Sequence, residues 1–236
     1  MKVITVYARL YAKAFAEALE AIRKNAWTLL WPMGFVLAVG ILAMVTGPLG
    51  IIGGFIRYLA TCALLSGYLY FLGELVAKSR VSTAELKRSL GAYFSAVLSV
   101  GFVLWIVLGL LLPLVLRGVP NGGTIFLIVQ LLSVVLLSAA PEVIYQRHPA
   151  GGVATIQSSV QFLQENWLEW IVPNVPVFLA GYLLLFWTGG LALPVQLVVL
   201  ALAGALLHVA FVFRGFTFKA LDRSSHRQRM FNYRNP

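Results

Sequence analysis

Long apolar runs alternate with short charged stretches along this chain. Six runs stand out, at residues 26–46, 51–77, 94–116, 124–145, 171–188 and 191–213, each long enough to cross about 30 Å of hydrocarbon as a helix. The connections alternate in character. TGPLG, RGVPNGG and TGGLALP are short Gly/Pro turns, so the runs they join are expected to pack antiparallel as three hairpins. The other connections are longer, polar and helical in period. In VITVYARLYAKAFAEALEAIRKN, Val3, Tyr7, Leu10 and Ala14 join Ile4, Tyr11, Phe15, Leu19 and Ile22 in an apolar stripe, while Lys2, Arg9, Lys13, Glu17, Glu20 and Lys24 face away from it. Such a helix suits the headgroup layer. AELKRSLGAYF groups Leu86, Leu90, Tyr93 and Phe94, and VATIQSSVQFLQENWLEW groups Val153, Ile156, Val160, Leu163, Trp167 and Trp170.

The pattern predicts an all-α polytopic membrane protein: six transmembrane helices as three hairpins, each preceded by an amphipathic helix on the cytoplasmic side. Within one transmembrane domain the units are an amphipathic helix at 1–25, hairpin 1 at 26–77, a linker helix with hairpin 2 at 78–145, a linker helix with hairpin 3 at 146–213, and a basic cytoplasmic tail at 214–236. Local text points to a threefold internal repeat. RKNAWTLLWP and QENWLEWIVP set Asn25 and Asn166 seven residues ahead of Pro32 and Pro173. GELVAKSR and PEVIYQRH each run from a glutamate through two aliphatic residues to a basic cluster, and Ala84 to Ser89 is matched by Ala154 to Ser159.

Composition turns the pattern into a class. With 60% hydrophobic and 11% charged residues and a mean hydropathy of +0.88, the chain is too apolar for a soluble domain, which must coat itself with polar side chains. The excess of 18 Lys and Arg over 8 Asp and Glu would point a soluble protein toward nucleic acid. No zinc-ligand spacing, RNA-binding aromatic signature or recognition helix accompanies the charge here, and nucleic acid is not expected as a partner. The membrane rule for basic loops accounts for it instead. Across six spans, 16 of the 18 basic residues fall on one side and only Arg57 and Arg117 on the other, so both termini are expected on the cytoplasmic side of the membrane. Charges from Lys2 to Lys24 precede a run of full spanning length, unlike a cleavable signal, so the N-terminus is expected to be retained. Cys62 is the only cysteine and reads as an inert small hydrophobe.

Few residues offer chemistry. Glu74 and Glu142 close the second and fourth runs, and ionisable groups near hydrocarbon often mark ion or substrate paths. Boundary ion pairs are the preferred reading, for Glu142 with Arg147 or a basic residue of a surface helix. Pro141 removes a helical hydrogen bond and predicts a bend where the fourth run ends. His208, inside the last run, reads as a neutral imidazole bonded to a neighbouring helix, since no HExxH, paired cysteine or ligand cluster points to a metal. Gln130, Gln196 and Asn174 read as interhelical bonding groups. Arg57 reads as a snorkelling cation, with an anion contact at the outer leaflet as the competing idea. No GxSxG, triad or GxxxxGK[ST] motif occurs, so no catalytic, cofactor-binding or metal-binding residue is assigned.

The stretch SAAPEVIYQRHPAGGVATIQSSVQFLQENW loosely resembles the YciC-like and glycerophosphodiester phosphodiesterase membrane-domain families of bacterial six-span proteins, in which a proline and an acidic residue close a span before an amphipathic stretch. The resemblance implies a membrane module without catalytic residues of its own, the phosphodiesterase chemistry belonging to a separate soluble domain. Three function classes follow. The leading one is a non-enzymatic inner-membrane scaffold or envelope- or transport-associated component, without a cofactor, whose basic cytoplasmic face engages anionic membrane lipids or a partner protein. The second is a permease subunit working with a separate ATPase, and the third an intramembrane lipid-modifying enzyme using Glu74, Glu142 or His208.

Overall fold

The computed structural model describes residues 2–78, 81, 86–188, 193–224 and 226–232. Most of the turn TGGLALP, together with Arg80, Ala84 and Arg234, lies outside the described residues. Among those described, all regular structure is helical: α1 (Lys2–Lys24), α2 (Trp31–Thr46), α3 (Gly50–Lys78), α4 (Leu86–Ala92), α5 (Phe94–Leu104), α6 (Leu112–Leu116), α7 (Gly122–Leu136), α8 (Ala140–Arg147), α9 (Gly152–Thr188), α10 (Leu193–Asp222) and α11 (His226–Asn232). Among the described residues four helical segments are long and apolar enough to cross a membrane, Ala26–Lys78, Phe94–Leu116, Gly122–Arg147 and Val195–Asp222. The first of these folds back on itself: the short 3-10 turn Gly47–Leu49 leads to Gly50 at φ 57, and α2 then packs against α3. Left-handed backbone there favours glycine, which has no Cβ to clash.

Local breaks have local causes. Between α5 and α6 the chain is π-helical over Trp105–Leu111, and the Leu112 N–H reaches back to the Val107 carbonyl. Pro113 has no N–H to offer Gly109, so the α-ladder cannot continue there. Two further breaks occur at asparagines. Asn25 adopts φ −138, ψ 47 after α1, and Asn166 adopts φ −136, ψ 27 inside α9. In both, the side-chain amide donates to the carbonyl four residues back, Ala21 at 2.8 Å and Phe162 at 3.2 Å, a local bond that competes with the helical ladder. Tyr93 makes a third break between α4 and α5 at φ −120, ψ 14.

Burial is concentrated at one end of the assembly. One core joins Ala14, Ala18, Ala21 and Ile22 of α1 to Leu69, Leu72 and Leu75 of α3 and Val212 and Phe216 of α10. The other joins Leu10 to Val143 of α8, Phe162 and Trp170 of α9, and Phe218 and Leu221 of α10. Away from this end, large apolar side chains of α2, the start of α3, α5 to α7 and the first half of α10 are exposed, among them Met44, Ile51, Val115, Leu131 and Leu206. That surface matches a hydrocarbon surround, where outward apolar groups carry no penalty.

The packing of α1 differs from its apolar stripe as read from sequence. Its buried line is Val6, Leu10, Ala14, Ala18, Ala21 and Ile22, against α10, whereas Ile4, Phe15 and Leu19 stay exposed. Alanines contribute little to hydrophobic periodicity but let two helices approach closely. The pair runs antiparallel, with Thr28 beside His208, Phe15 against Phe213, and Leu10 sharing a core with Phe218 and Leu221. α10 also continues nine residues beyond the predicted end of the last run, to Asp222, so the segment from Arg214 starts as packed helix rather than as a free tail.

Candidate functional site

Three buried polar clusters lie where the helices converge. The first is an ion pair between Glu142 on α8 and Arg214 on α10, with exposures of 0% and 5%. Arg214 Nε donates to Oε1 at 3.0 Å and Nη2 to Oε2 at 3.1 Å, a bidentate fork of the kind that combines strength with fixed geometry. Nη2 also donates to the Ser138 carbonyl. The guanidinium lies 5.0 Å from the Trp170 ring centroid and 5.4 Å from that of Phe211, and Trp170 Nε1 donates to Ser138 Oγ at 3.0 Å. This arrangement exists because the chain is broken between α7 and α8. Pro141 has no N–H for the Leu137 carbonyl, which accepts from Ala140 at 3.0 Å instead, and the bend frees Ser138 for Arg214 and Trp170.

The partner of Glu142 is therefore not Arg147. That residue pairs with Asp222 of α10 and donates to the Ser158 carbonyl at 3.3 Å. Glu74, which matches Glu142 in the local text, pairs within its own helix with Lys78 at 2.6 Å.

The second cluster centres on His208, which is fully buried. Its Nδ1 lies 3.1 Å from Tyr68 Oη and its Nε2 3.1 Å from Thr28 Oγ1. Thr28 Oγ1 donates to the Asn25 carbonyl at 2.8 Å, so it accepts from Nε2–H and leaves Nδ1 to accept from Tyr68. A neutral imidazole satisfies the whole chain. Asn25 extends it, its Oδ1 accepting the Val81 N–H at 3.0 Å.

The third cluster ties the C-terminal helix to the bend in α9. Arg229 of α11 donates to Asn166 Oδ1 at 3.0 Å and to the carbonyls of Leu221 and Ser224 at 3.0 and 2.5 Å, with Glu169 Oε1 3.7 Å away. Tyr7 donates to that carboxylate at 2.5 Å, and Tyr11 to the Glu169 carbonyl at 2.8 Å. Burial, then the adjacent Glu169, pushes both phenols up to about 12.

The remaining sequence candidates stay apart. Asn174 donates within its own helix to the Trp170 carbonyl at 2.5 Å, Gln130 and Arg57 are exposed, and Gln196 is half-buried. Cys62 is free and buried. No group of three or more His, Cys, Asp or Glu among the described residues is placed to hold a metal ion. Sequence reasoning missed Arg214, assigned to the tail, although GFTFKAL after it continues the apolar pattern and was the available signal. It also missed the latch formed by Arg229 and Glu169, which had no such signal.

The fold and these clusters define an all-helical protein with apolar helices of membrane-crossing length and an ion-paired convergence zone at one end, a class compatible with an integral membrane protein. No family model, curated protein or solved structure matches the chain.

Proposed function

We propose that the chain is a non-enzymatic inner-membrane scaffold, with both termini cytoplasmic, whose convergence zone holds a basic surface against anionic lipid headgroups. Six spans in three related units underlie this reading. The matched conformations and side-chain bonds of Asn25 and Asn166, and the break at Tyr93 between them, support the relation. The observation that carries the proposal is the division of α1 into three faces. One packs on α10, one exposes Ile4 (76%), Phe15 (45%) and Leu19 (45%), and one carries Arg9, Lys13 and Arg23, all exposed. An exposed apolar strip beside a cationic face, on a helix held by the protein, fits the boundary between headgroups and acyl chains, where each cation contributes about 1 kcal/mol toward anionic lipid.

Spin labels placed one at a time at positions 15, 16 and 19 of a C62A protein in lipid nanodiscs test this. Positions 15 and 19 should favour oxygen over a water-soluble nickel chelate, and position 16, on the charged side, should do the reverse. Equal chelate access at all three refutes the placement of α1, and external labelling of either terminus in intact cells refutes the orientation.

A further inference from the structure

A cleft of about 220 Å³ opens between α1 and α10 on the flank of α1 away from Phe15 and Leu19. Its floor is apolar, from Leu10, Ala14 and Phe216, and its rim carries Lys13, Lys219 and Arg223 against a single carboxylate, Glu17. The cations that lie inside the convergence zone are matched: Arg214 by Glu142, Arg147 by Asp222, and Arg229 by Glu169. Around this cleft they are not. Among the described residues no carboxylate lies within ion-pairing distance of Lys13, Lys219 or Arg223. Lys219 spends one donor on the Val76 carbonyl at 2.8 Å and keeps two, while the exposed side chains of Lys13 and Arg223 are free to turn inward. The rim thus carries two net positive charges around a space smaller than the roughly 300–1,000 Å³ of drug-sized ligand sites. Those properties select a compact, doubly charged anion. The rim charge matches a phosphate dianion rather than a single carboxylate, and a guanidinium with two ammonium groups supplies donors for its several terminal oxygens.

We propose that this cleft binds a dianionic phosphate group. The inference rests on the reading of the convergence zone as an anion-facing surface and names its ligand class. The same chemistry comes from two sources, a free phosphate or the headgroup of a phosphatidic-acid-type lipid.

The full chain in nanodiscs of neutral lipid is titrated with inorganic phosphate, and in parallel nanodiscs doped with phosphatidic acid are examined by phosphorus NMR. The parent protein is compared with K13Q/R223Q and with R23Q/R227Q, which removes the same charge outside the cleft. Phosphate binding that weakens about tenfold or more in K13Q/R223Q alone identifies a free phosphate as ligand, the order expected when two cations are lost. A perturbed lipid phosphate resonance lost only in K13Q/R223Q identifies the headgroup. Absence of both, or equal losses in the two variants, overturns the proposal. If that happens while labels at 15 and 19 remain in the acyl region, the cleft assignment alone falls; if the labels are aqueous, the membrane reading falls with it.

Discussion

Replacing either member of the Glu142–Arg214 pair should destabilise the protein far more than replacing both. In E142Q the guanidinium loses its countercharge but keeps the Ser138 carbonyl and the faces of Trp170 and Phe211, so the cost falls near the lower end of the range for breaking a buried pair, about 3 kcal/mol. In R214M a fully buried carboxylate loses both bonds of the fork and, among the described residues, has no second cation paired with it, which places the cost near about 5 kcal/mol. E142Q/R214M removes both charges and should cost less than either single variant, below about 3 kcal/mol, giving a coupling above about 5 kcal/mol in a double-mutant cycle. Charge exchange in E142R/R214E should not restore the parent, because an arginine at 142 would leave Trp170 and the Ser138 carbonyl behind. Reversible unfolding in mixed micelles, followed by tryptophan fluorescence, measures these differences, with Trp170 5.0 Å from the guanidinium as a local reporter. Single variants within about 0.5 kcal/mol of the parent, or additive effects to that margin, would show that the pair does not organise this end of the molecule.

The other predictions concern backbone contacts, the C-terminal latch and pH. A Cβ at Gly152 would lie 2.5 Å from the Ser99 carbonyl group on α5, and one at Gly215 would lie 2.6 Å from Tyr145 Oη and Val76 Cγ2; G152A should therefore lower the thermal midpoint more than G215A, since side chains yield more readily than backbone, with overpacking costs of about 1–3 kcal/mol. N166A removes the acceptor for Arg229 Nη2 and should speed amide exchange across 226–232 while leaving α2 and α3 unchanged. Tyr7 and Tyr11 have folded pKa values raised from 10.0 to about 12, so their contribution to stability is complete below pH 10 and lost as pH rises toward 12; absorbance titration of the parent against Y7F/Y11F should show the missing phenols ionising near 12, and ionisation near 10 would contradict the packing of α1 on Glu169.

Local chemistry made much of this protein readable in one dimension. Helical class follows from the length of the apolar runs and the three- and four-residue spacing in the segments between them, and the bend at Pro141 follows from its missing N–H; Asn25 and Asn166 stand out in the sequence only as matched positions, and the breaks made by their bonds to the carbonyls four residues back belong to the structure. The tertiary structure alone decided which cations are spent inside the protein. A count of basic residues put Arg214 and Arg229 with Arg223 and Arg227 in one tail, yet the first two are buried against Glu142 and Asn166, 72 and 63 residues away in the chain. It decided, too, that α1 turns its alanines toward α10 and leaves Phe15 and Leu19 outside. Periodicity defines the faces of a helix, but which face meets protein is settled by the shape and charge of distant elements, and no local spacing encodes those.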